Sequence, residues 1–82
     1  MKQDYKIEVF GDNLKRIRKS NGLSMNTMSK VLGIGVKSLS SLERGILPPR
    51  MSASILIKIN NEFGFLPSEM FLKIDEKQKG RE

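Results

Sequence analysis

Only three residues, Gly33-Ile34-Gly35, separate two short segments of helical periodicity. Met28, Val31 and Leu32 recur at i, i+3 and i+4, one face of a helix, and Leu39 and Leu42 recur at i and i+3. A linker of that length, with a glycine at each end, permits nothing but a sharp reversal. Isolated helices this short are marginal in water, and neither can bury its apolar stripe alone. The two must therefore pack on each other and on whatever flanks them.

The flanking segments supply those partners. Ile7 to Ser20 reads as a first helix, with Phe10, Leu14 and Ile17 on one face and Lys15, Arg16, Arg18 and Lys19 on the other. Gly22 suits its stop, and Leu23 turns into the core. Ser24 offers a hydroxyl acceptor just before the second helix, where an N-cap is wanted. Ser29 is the small residue on that helix's inner side, Gly33 ends it, and Ile34 is expected to plug the turn. The third helix runs from about Val36 to Arg44 and stops at Gly45. With Leu39 and Leu42 inward, Lys37, Ser40, Ser41 and Arg44 must face outward, and Glu43 lies toward the side. This pair has the layout of a helix-turn-helix.

Pro48-Pro49 then forbids helix and holds Leu47 extended. Ser52 is placed to cap a fourth helix, about residues 53 to 63, whose stripe is Ile55, Leu56, Ile59 and Phe63. Phe65 and Leu66 are expected to return to the core. Pro67-Ser68-Glu69 starts a last short helix from which Met70 and Phe71 pack back. The expectation is an all-α domain of five helices over residues 1–72, followed by a charged tail, 73–82, expected to fray.

Composition narrows the chemistry. The 82 residues suffice for one domain with a small core, and they include no cysteine and no histidine. That excludes disulfides, a Cys/His metal site, and the usual histidine base or cysteine nucleophile. No glycine-rich phosphate loop or carboxylate cluster is present either, so an enzyme is not expected, and neither is a cofactor. No apolar run reaches the span of a bilayer, and the N-terminus lacks the pattern of a secretory signal, so no membrane association is expected and a cytoplasmic location is. The formal charge is +6, from 15 Lys and Arg against 9 Asp and Glu. All of the excess lies between Asp12 and Arg50, which hold eight basic residues and only two acidic ones, Asp12 and Glu43. A positive field so concentrated suits a polyanion.

The ordered pieces LKRIRKSNGLS, MSKVLGI, SLSSLERG, SASILIKINNEFG and SEMF resemble the Cro/Xre-type helix-turn-helix repressors of phages and bacteria. The resemblance covers about Phe10 to Phe71, with Gly33, Ile34, Leu39, Leu42, Glu43 and Gly45 in register. It implies a five-helix, lambda-repressor-like domain that binds operator DNA as a dimer, with the third helix in the major groove. By position it implies base contacts from Val36, Lys37, Ser40 and Ser41. It implies phosphate contacts from Ser24, Met25 and Asn26 at the start of the second helix, and from Arg44 and Arg50 on the far side. It also implies a structural ion pair between Arg18 and Glu43.

The chain departs from the family pattern at three positions that bear on specificity. Met25 stands where members often carry a phosphate-binding glutamine. Gly35 replaces a hydroxyl cap, and Val36 stands where a polar base reader is usual. A valine can contact only apolar groups, such as a thymine methyl. The expected function is sequence-specific binding of double-stranded DNA by a homodimer acting as a transcriptional repressor. Two alternatives share the fold: an antitoxin that represses its own operon and holds a toxin partner, and a protein-interaction domain that has lost DNA binding.

Overall fold

Each apolar stripe becomes one buried helix face. In the computed structural model, which describes residues 6–48 and 53–72, the helices are α1 (Ile7–Ser20), α2 (Met25–Leu32), α3 (Val36–Glu43), α4 (Ser54–Phe63) and α5 (Pro67–Met70). The core takes Phe10, Leu14 and Ile17 from α1, Met28 and Leu32 from α2, Leu39 and Leu42 from α3, Ile55 and Ile59 from α4, and Met70 from α5. No strand forms among the described residues, and no helix among them is long and apolar enough to cross a membrane.

The reversal between α2 and α3 follows from Gly33. Its φ of 71° is left-handed, a region costly for any residue with a Cβ. In that conformation the Gly33 N–H reaches the Lys30 carbonyl at 3.2 Å, and the Ile34 N–H reaches the Ser29 carbonyl at 3.0 Å. Two carbonyls that the helix end would otherwise leave bare are thereby satisfied. Ile34 packs on the core but is only half-buried, so the turn is braced by its backbone as much as by its plug.

α1 packs chiefly against α3, and α2 rests on α3 and α4. Gly11 sets how closely α1 approaches. A Cβ there would overlap the Leu42 carbonyl oxygen and stand 3.1 Å from both the Glu43 oxygen and the Gly45 nitrogen. All three obstacles are backbone, so no rotamer change relieves them. Asn13, two residues on and 4% exposed, ties the other side of α1 to the end of α5. Its Nδ2 donates to the Met70 carbonyl at 2.7 Å and to the Leu72 carbonyl at 3.0 Å. A buried amide held this way satisfies carbonyls that a four-residue helix cannot pair internally.

The expected return of Phe65 and Leu66 to the core is corrected by the structure, which leaves them 37% and 50% exposed. The space is already taken. Met70 is fully enclosed, and the Phe71 ring lies 5.3 Å from that of Phe10. Phe65 and Leu66 instead bridge α4 to α5, where the Leu66 N–H donates to Glu69 Oε1 at 2.8 Å. Ala53 directly precedes the first residue of α4 and has right-handed helical backbone angles. Ser52, Arg50, Met51 and residues 73–82 lie outside the described residues.

Gly11→Ala tests the close approach. The alanine gains about 1 kcal/mol in helix propensity. Forcing α1 off α3 costs about 3 kcal/mol or more, because the obstruction is main chain. A net loss of about 2 kcal/mol is expected in urea unfolding, and a neutral or stabilised variant would contradict the packing described.

Candidate nucleic-acid interface

With Leu39 and Leu42 fully buried, the opposite side of α3 is necessarily turned out. Val36 at its first position is 40% exposed. Lys37 and Arg44 are exposed, and Ser40 and Ser41 are half-exposed between them. This face carries two cations and short hydroxyls.

The one acid of α3 is withdrawn from that face. Arg18 Nε donates to Glu43 Oε2 at 2.7 Å, and Arg18 Nη2 donates to Glu43 Oε1 at 3.0 Å. The pair is therefore bidentate, the strongest geometry available to a guanidinium and a carboxylate. Its side chains are only 13% and 6% exposed. Arg18 Nη1 also donates to the Leu23 carbonyl at 3.2 Å, so one guanidinium ties α1, the α1–α2 turn and α3 together. The hydrogen bond to Glu43 raises the Arg18 pKa above the ordinary arginine range; burial opposes this, and the Glu43 charge adds to it. A raised folded-state value means that this contribution to stability is fully present below the ordinary arginine pKa. It is lost only as the pH rises through the higher one, in strong alkali.

At the start of α2, Ser24 is the N-cap. Its Oγ accepts from the Thr27 N–H at 3.1 Å and donates to Thr27 Oγ1, also at 3.1 Å. The Met28 N–H is taken by the Ser24 carbonyl at 2.9 Å. The N–H groups of Met25 and Asn26 remain directed out of the helix end. The Met25 side chain packs against the core, whereas Asn26 is exposed. α3 begins differently: its N-cap is Gly35, and no side chain caps it.

Lys58, on α4, has no signal in the sequence that would associate it with the turn. Its Nζ lies 2.6 Å from the position a Cβ on Gly33 would take. A cation there sits over the negative end of the α2 dipole. Gly11 and Asn13 did carry signals: a glycine inside a helix is costly without a packing reason, and an amide on an apolar face needs buried partners.

A family model described as helix-turn-helix matches residues 14–70, most of the chain and all of the two-helix unit. No curated protein and no solved structure matches.

Glu43→Gln keeps the side chain's shape and removes its charge. Exposed pairs contribute about 0–1 kcal/mol. This pair is largely withdrawn from water, so a loss of about 2 kcal/mol is expected from chemical denaturation. A loss below about 0.5 kcal/mol would place the pair among solvent-screened ones.

Proposed function

The chain belongs to the Cro/Xre-type helix-turn-helix family, a family of DNA-binding regulators, and on that premise we propose that it is a transcriptional repressor that binds a specific double-stranded site as a homodimer. The observation that carries this reading is the charge arrangement of α3. Lys37 and Arg44 are exposed on one face, while Glu43 is turned inward and held by Arg18. A face with cations and no free acid is attracted to phosphates along its whole length.

In this reading α3 lies in the major groove. Lys37, Ser40 and Ser41 meet base edges, with Val36 at the leading end, and Arg44 reaches a phosphate. The half-exposed serines let the helix sit deep. The anion contact at α2 falls to the Met25 and Asn26 N–H groups, because the Ser24 hydroxyl is engaged by Thr27. Arg50 is assigned a phosphate from its place in the sequence alone.

A domain this small covers little DNA, and two copies on a two-fold site reach useful affinity by geometry. Ile46 and Leu47 suit the contact between copies. They follow α3 directly and are 52% and 59% exposed. Leu47 borders an apolar groove with Ile7, Phe10, Ile55 and Phe71, whereas Phe65 borders a separate groove against Ile17 and Met70. The dimer contact is accordingly assigned to the first of these alone.

Selection of bound duplexes from a random pool is expected to return a palindromic motif with half-sites about 10 base pairs apart. A non-palindromic motif would reject the dimer, and failure to enrich any sequence would reject specific binding. Lys37→Ala is expected to cost about 1–3 kcal/mol of affinity and to relax one position of the motif, with unchanged helical circular dichroism. Arg44→Ala is expected to weaken all sequences alike and to flatten the salt dependence by about one unit of slope per half-site. Unaltered affinity in both variants would reject the assigned face.

A further inference from the structure

Among the described residues of α3, Val36 alone is a large hydrophobic side chain left substantially in water, at 40% exposure. Its surroundings keep it there. The preceding residue is Gly35, which offers no side chain to cover it, and nothing lies within 4 Å of where a Gly35 Cβ would stand. The next residue, Lys37, is itself exposed. A valine in a helix holds essentially one χ1 rotamer, so its two methyl groups form a fixed knob. Little side-chain freedom is lost when such a knob is buried.

The major groove offers that knob one kind of partner. Purine edges present N7, O6 and N6, and cytosine presents N4, all polar groups that a valine would desolvate without pairing. The one apolar group on the floor of the groove is the methyl on C5 of thymine. Cytosine methylated at C5 carries the same methyl at the same ring position. We infer that Val36 is a reader of 5-methylpyrimidines, so that binding depends on the C5 methyl of one pyrimidine per half-site and is strengthened when a cytosine at that position is methylated. The inference rests on the proposed placement of α3 in the major groove, and it makes the protein's affinity responsive to DNA methylation at that position.

The probe is the duplex enriched from the random pool, with each thymine replaced singly by deoxyuridine, which removes only the methyl. At one position per half-site the replacement is expected to weaken binding about fourfold, the equivalent of one buried methyl group. A duplex carrying cytosine there is expected to bind more weakly than one carrying 5-methylcytosine, by a similar factor. In Val36→Ala and Val36→Ser, both of which change an exposed side chain and should leave the fold intact by circular dichroism, the two sensitivities should disappear together. Tight binding with no uracil-sensitive position would overturn the inference while leaving the DNA-binding reading in place. Sensitivities that persist unchanged in both Val36 variants would likewise overturn it. A pool that yields no bound sequence would remove the DNA-binding reading and this inference with it.

Discussion

The bidentate pair between Arg18 and Glu43 does two things that the rest of the molecule relies on. It fastens α3 to α1 across an interface where Gly11 has let the two backbones come nearly into contact. It also takes the single carboxylate of α3 out of play, so that what remains outward beyond Val36 is cationic and hydroxylic. A buried pair is weak evidence for added stability, because desolvation offsets much of the attraction. Its value here is orientation. An acid left loose on α3 would repel the same phosphates that Lys37 and Arg44 are proposed to attract.

That orientation cannot come from α3 itself. A helix of eight residues is too short to persist alone, and which side it turns out is decided by what its other side meets. Leu39 and Leu42 supply the inner contact, Gly33 the angle from α2, and Lys58 a cation over the end of that helix. Folding and recognition are thus coupled: a change that loosens the inner face also misdirects the outer one. The same logic explains why, in the proposed binding mode, α2 would contribute mainly main-chain groups. Its Ser24 hydroxyl is occupied in holding the helix start together, and its Met25 side chain packs against the core.

Much of the helix plan was legible in the sequence, because periodicity and glycine stops mark it directly. α1 runs from Ile7 to Ser20, α2 is capped by Ser24, and Gly33 takes the left-handed conformation. The misplacements have physical causes. Phe65 and Leu66 look like core by hydropathy alone, but the core is finite, and Met70 and Phe71 reach it from better angles. Gly11 and Asn13 carry local signals of a packing role, but their partners are distant in sequence, 57 and 59 residues away for Asn13, and no local pattern identifies them. The link between Arg18 and Glu43 spans 25 residues and came from the family resemblance, not from spacing. The exposed face of α3 follows from the positions of Leu39 and Leu42, whereas what each residue on it would touch depends on a partner outside the chain.

Amide chemical shifts followed by NMR while a selected duplex is added test the central claim most directly. The largest changes should fall on Val36, Lys37, Ser40, Ser41 and Arg44, with a second group at Met25 and Asn26, and α4 should be little disturbed. Changes concentrated on α4 or on the outer face of α1, with the α3 residues silent, would contradict the account.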